Sequence, residues 1–102
     1  MQPQGHLQVI VALIDDALHP QAALDQPRFC IQDGNPSGNV AIEEGIPPLT
    51  LRSLSHKGHQ IERISGHERA LFGRGQIILR DRKDNVFWGG SDPRADGCVM
   101  CL

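Results

Sequence analysis

The stretch Gln76-Ile77-Ile78-Leu79-Arg80-Asp81-Arg82-Lys83-Asp84-Asn85-Val86-Phe87-Trp88 decides the fold class of this chain. Two runs of strand formers, residues 76–80 and 86–88, flank a polar connection of hairpin length, so they read as antiparallel neighbours. Ile77-Ile78-Leu79 is apolar without a break, the pattern of a strand covered on both faces. After Trp88, the run Gly89 to Gly97 is so dense in Gly, Pro and Asp that it reads as a shaped loop.

Working outward, residues 59–64 read as a strand, joined to the hairpin through a glycine-containing connection at 65–75. Residues 47–57 read as a helix opened by proline. Leu51 and Leu54 face inward there, and Gly58 suits the left-handed position after the last turn. Residues 29–32 and 40–43 are short strands separated by the turn-forming run Asp33-Gly34-Asn35-Pro36-Ser37-Gly38. Residues 7–18 form a helix, because Ile10, Leu13, Ile14, Ala17 and Leu18 fall on one stripe. Val9, Val11 and Ala12 lie off that stripe, so the helix is apolar nearly all round and calls for burial on more than one side. Pro20 opens a second short helix over 21–24. Helices and strands in this order, with a hairpin at the end, define an α+β chain. It reads as one domain, or an incomplete one, over residues 1–102.

Composition narrows the function classes. The chain has 102 residues, 39% apolar and 4% aromatic, with a net charge of −2. Charge is uneven, −5 over residues 1–51, +5 over 52–83 and −2 over 84–102, which reads as compensation inside one fold. Near-absence of stacking aromatics in the basic stretch argues against a nucleic-acid partner. The apolar run Val9 to Ile14 is too short to span a membrane, and it lacks the flanks of a signal peptide. Three cysteines do not complete a disulfide framework.

Candidate chemistry is sparse. Cys98-Val99-Met100-Cys101 has C-x-x-C spacing, and His56 and His59 have H-x-x-H spacing, but a structural zinc site wants four convergent ligands. Thr50 is the only threonine and lies inside a helix. The carboxylate pairs Asp15-Asp16 and Glu43-Glu44 are sequence neighbours and point apart. Gly73-Arg74-Gly75 and Gly89-Gly90 match no phosphate-loop or dinucleotide spacing. Asp92-Pro93-Arg94 is the densest polar cluster, in which Arg94 suits bidentate bracing by a carboxylate. No metal site and no cofactor is assigned.

Several stretches, in order, resemble the γ-glutamyltransferase (glutathione hydrolase) family. They are Met1-Gln2-Pro3-Gln4-Gly5-His6, then His19-Pro20-Gln21-Ala22-Ala23-Leu24-Asp25-Gln26-Pro27-Arg28-Phe29, then Phe72-Gly73-Arg74-Gly75-Gln76-Ile77-Ile78, and Gly89-Gly90-Ser91-Asp92-Pro93-Arg94-Ala95-Asp96-Gly97. Glu43-Glu44-Gly45-Ile46-Pro47 and Lys57-Gly58-His59 resemble its connecting pieces. The first motif looks closest to the branch shared with cephalosporin-type acylases. The resemblance runs from Met1 to Gly97; the ending Cys98 to Leu102 departs from it.

The resemblance implies an N-terminal-nucleophile hydrolase with an αββα sandwich, of which this chain is the C-terminal part of the small subunit. It implies a threonine nucleophile and oxyanion glycines upstream of the segment matching Met1. The chain alone is then expected to be inactive. Its partner would be the upstream part of the same enzyme or its large subunit, and the intact protein would act on γ-glutamyl compounds such as glutathione. Met1, Gln2 and Gln4 would line the pocket rim, Asp92 and Arg94 would brace the fold, and no catalytic residue transfers by position. Transferase, hydrolase and acylase chemistries stay open. The alternative reading is a small non-enzymatic binding domain, Cys/His metal-dependent or working with a partner subunit.

Overall fold

The computed structural model describes residues 1–102. Helix α1, Gln2–Ile14, is followed by the short helix α2, Pro20–Asp25, and by strands β1, Phe29–Ile31, and β2, Val40–Glu43. Helix α3, Pro48–His56, leads to β3, Ile61–Ile64, and a 3₁₀ segment, Gly66–Phe72. Strands β4, Gln76–Asp81, and β5, Val86–Ser91, close the order. The chain is α+β with five strands in two sheets: β1-β2-β3, in which β1–β2 is antiparallel and β2–β3 parallel, and the antiparallel hairpin β4–β5. The parallel pair needs a crossover, and α3 supplies it.

Four sequence expectations are corrected. Helix α1 starts at Gln2 rather than at residue 7, because Pro3 sits in its first turn, where a missing N–H costs no hydrogen bond. It ends at Ile14 rather than at 18. The Leu18 N–H bonds back to the Ala12 carbonyl at 3.0 Å, and Ala17 takes the left-handed conformation, φ 51°, where the chain turns back after the last helical turn. The connection 65–75 carries the 3₁₀ segment. Gly89, Gly90 and Ser91 belong to β5, not to a loop. Their glycines serve close approach: a Cβ on Gly90 would stand 2.9 Å from the backbone N of Gln21, and one on Gly89 2.4 Å from Val99 Cγ1.

Packing differs from the periodicity as well. In α1 only Ala12 is fully buried, while Ile10 and Ile14 of the apolar stripe are exposed. Ile78 of the hairpin is 77% exposed and Phe87 71% exposed. The fully covered apolar cluster is small: Cys30, Ala41, Ile64 and Phe72, with Met1 packed on it. Leu51 and Leu54 are half-buried. The chain exposes 7495 Å², where a compact protein of its mass would expose about 5,700 Å². Its radius of gyration is 15.1 Å, against about 13 Å for a compact domain of this length. No helix is long and apolar enough to cross a membrane.

A buried ionic hub and the cleft beside it

The two sheets are tied together by charged side chains. Arg28, Glu43 and Asp92 are all buried, at 3%, 1% and 1% exposure. Charges seldom sit so deep unless paired, and here each is. Glu43, at the end of β2, accepts from Arg94 Nε at 2.8 Å, from Arg94 Nη2, from Arg69 Nε at 2.5 Å and from the Arg28 backbone N–H at 2.9 Å. Asp92, just after β5, accepts from the backbone N–H of Gly75 at 2.8 Å and of Arg94 at 3.0 Å. Its carboxylate also meets Arg28 Nη1 and Arg94 Nη1, each at 2.9 Å.

Arg94 is the centre of this hub. Besides both carboxylates, its guanidinium donates to the carbonyls of Leu24 and Gln26, each at 2.8 Å. Arg28 donates to the carbonyls of Phe72 and Leu24, each at 3.1 Å. The hub therefore joins α2, the start of β1, the end of β2, the 3₁₀ segment and the loop after β5. Burial pushes the Glu43 carboxyl up, but the hydrogen bonds from Arg94, Arg69 and the Arg28 N–H outweigh it and hold the group below its ordinary value. Burial likewise raises Asp92, and the N–H groups of Arg94 and Gly75, the Arg94 side chain and the Arg28 charge pull it below normal. Burial lowers Arg94, and its two carboxylates more than reverse that.

Beside the hub, a cleft of about 360 Å³ opens between the first half of α1 and residues 72–77. Met1, Gln2, His6, Arg28 and Arg74 are among its lining residues, and no acid is. Gln4 does not line it; its amide is bound to Ile31 of β1. A second hollow, about 380 Å³, lies between α3 and the β1-β2-β3 sheet and is lined by Phe29, Ile31, Ile42 and Leu54 with Thr50 and His59. It has no acid–base pair. Thr50 is exposed on α3. Cys98 and Cys101 are exposed, and no three His, Cys, Asp or Glu side chains converge as a metal site would require.

Sequence reasoning picked out Asp92 and Arg94 as a pair but not their joining to Glu43, Arg28 and Arg69, whose charged partners lie 15 to 64 residues away. The local signals were Arg28, inside the Pro27-Arg28-Phe29 motif, and Glu43, at the head of the Glu43-Glu44-Gly45-Ile46-Pro47 piece.

An α+β fold whose strands and loops are pinned by a Glu43–Arg94–Asp92–Arg28 hub belongs with the N-terminal-nucleophile hydrolases, the fold class of its structural neighbours. The chain is a member of the γ-glutamyltranspeptidase family, whose model matches residues 1–102. It is 29% identical over 101 residues to the glutathione hydrolase-like YwrD proenzyme of Bacillus subtilis, covering 97% of this chain and 19% of that protein. Cephalosporin acylase from Bacillus halodurans superposes with a TM-score of 0.86 at 43% identity, covering 96% of this chain and 17% of the acylase. An acivicin-inhibited γ-glutamyltranspeptidase, described for critical roles of its C-terminus in autoprocessing and catalysis, superposes at 0.69 with 30% identity, over 92% of this chain and 48% of that one. The chain thus spans about a fifth of the curated relative's length.

Proposed function

We propose that this chain is the C-terminal part of the small subunit of a γ-glutamyltransferase-like enzyme, one incomplete domain that is inactive by itself. The observation that carries this reading is the surface excess. The chain exposes about 1,800 Å² more than a compact protein of its mass, about twice the ~800 Å² that one partner gives to a standard stable interface. Large apolar residues of α1 and the hairpin, Leu7, Ile14, Ile78 and Phe87 among them, are part of that exposure. Its partner is the rest of the enzyme, including the large subunit, and γ-glutamyl compounds such as glutathione are the substrates of the assembled protein.

Within that assembly Met1 and Gln2, which line the cleft, form part of the pocket rim. The Asp92–Arg94 loop braces the fold through Glu43, a role in keeping with the importance of the C-terminus to the acivicin-inhibited relative. The chain supplies no nucleophile of the family type, because Thr50 is internal to the sequence and sits on α3, away from the cleft. A γ-glutamyl anilide assay on the purified chain tests this. No turnover is expected, and turnover that follows the chain through purification would overturn the reading.

A further inference from the structure

The hub is short of one negative charge. Arg28, Arg69 and Arg94 set three guanidiniums against the two carboxylates of Glu43 and Asp92. Arg28 lines the cleft beside the hub and is 3% exposed. Its Nη1 and Nη2 are committed to Asp92 and to the carbonyls of Phe72 and Leu24, which leaves Nε. That Nε is the one buried side-chain nitrogen or oxygen in the chain with no hydrogen-bond partner. Buried polar groups are nearly always paired, so an orphan of this kind calls for an acceptor. Asp92 cannot take the part, since four donors already share its two oxygens.

The rest of the cleft is built to the same sign. His6 on the α1 wall and Arg74 on the facing wall are both exposed, and neither side chain has a hydrogen bond or an ion pair. The first turn of α1, the positive end of its dipole, also borders the cleft and carries no acid. Both walls are held in place. Gln4 Nε2 donates to the Ile31 carbonyl at 3.2 Å while its Oε1 accepts from the Ile31 N–H at 2.8 Å. Gln8 does the same to Phe29, both bonds at 3.0 Å. These two amides close the outer edge of β1 and pin α1 against it. On the facing wall, Asp92 holds the Gly75 N–H at 2.8 Å.

We propose that this cleft binds a carboxylate, held between Arg74 and His6 with the Arg28 guanidinium in the wall behind it. Two carboxylate oxygens match the edge of a guanidinium. A phosphate asks for more donors, and the glycines of the facing wall cannot supply them. The Gly73 N–H bonds to the Ala70 carbonyl at 3.3 Å, and the Gly75 N–H to Asp92. The site is made wholly of residues in this chain and goes beyond the reading above. Both a free small molecule and an acidic side chain from outside this chain carry the required group, and the test separates them.

Sodium acetate is the probe, with sodium chloride at equal ionic strength as the reference. In NMR titrations of the chain, the Arg74 and His6 side-chain signals and the Arg28 Nε–H should shift saturably. Half-saturation is expected at roughly 1–10 mM, the range open to so small a ligand. Arg74→Ala should weaken binding at least about tenfold, the loss of one charged hydrogen-bond donor. Arg74→Lys should restore part of it, because the charge returns without the fork. Arg80→Ala, which removes an arginine that does not line the cleft, should leave it unchanged, and thermal melts confirm that each variant folds. Shifts that do not saturate, that chloride reproduces, or that Arg80→Ala weakens equally overturn the proposal. The source is read once this chain replaces the matching segment of the Bacillus halodurans acylase. Acetate binding that persists there assigns the site to a free ligand. An Arg28 Nε–H already at its acetate-bound position without acetate assigns it to an acid of the enzyme itself. A matured protein showing neither overturns carboxylate binding. A replacement that never matures counts against the family placement, and the titration of the chain alone then decides the cleft.

Discussion

Arg28 and Glu43 hold each other twice. The Glu43 N–H donates to the Arg28 carbonyl at 2.9 Å, and the Glu43 carboxylate accepts from the Arg28 N–H at 2.9 Å. One side chain thereby fastens the end of β2 to the start of β1 and offers its remaining lone pairs to Arg94 and Arg69. Because the carboxylate is buried, its partners decide whether it stabilises the chain or destabilises it.

Glu43→Gln is therefore expected to cost about 3–5 kcal/mol, the range for breaking one side of a buried charge pair. Asp92 alone would then face Arg28 and Arg94. Arg69→Ala, on the half-exposed member of the cluster, should cost no more than about 1 kcal/mol. Urea unfolding of both variants checks the contrast; equal losses would show that burial does not set the value of these pairs.

Arg94→Lys is expected to destabilise nearly as much as Arg94→Ala. The guanidinium uses Nε, Nη1 and Nη2 on Glu43, Asp92, Leu24 and Gln26 together. An ammonium has three donors on one atom and cannot span that fork. Thermal melts of the two variants should coincide within a few degrees, and a Lys variant close to wild type would show that charge alone suffices.

Stability should depend on pH in a defined direction. Glu43 and Asp92 are held below their ordinary values in the fold, so near pH 4 the unfolded chain binds more protons than the folded one. Their stabilisation is then fully present above the ordinary carboxylate range and is lost as pH falls through the folded values. Urea midpoints should be level from pH 7 to about 5 and fall below about 4.5. Glu43→Gln should flatten that fall.

Ala17→Gly should raise stability by up to about 1 kcal/mol. Ala17 sits at φ 51°, a conformation that costs a residue with a Cβ roughly 1–2 kcal/mol, and glycine's greater freedom in the unfolded chain offsets part of the gain. Gly90→Ala should do the opposite, by about 1–3 kcal/mol, since its Cβ would meet the α2 backbone at 2.9 Å. Paired melts of the two variants check both signs.

Element types were legible wherever local chemistry set them. The hairpin, the proline-opened helices α2 and α3, the strands around 29–31 and 40–43, and the Gly58 stop, φ 96°, all depend on residues within one turn or one loop of each other. Ordered motifs alone also pointed to the family. The boundaries of α1 and β5 were less legible. The apolar stripe marks α1 only from residue 7, although Pro3 is neutral in a first turn, and Gly89-Gly90 reads as a loop until α2 and the Val99 side chain are seen against it.

What the sequence by itself determined, then, is the α+β order, the turns and the family motifs, because propensity, capping and turn geometry are short-range. Tertiary structure alone decided that Glu43 faces Arg94, Arg69 and Arg28, that Gln4 and Gln8 close β1, and that Ile10, Ile14 and Ile78 lie open. Periodicity tells which side chains avoid water but not what covers them. A buried carboxylate looks like any other acid until the chain brings its cations, from as far as 64 residues away, to within hydrogen-bonding distance.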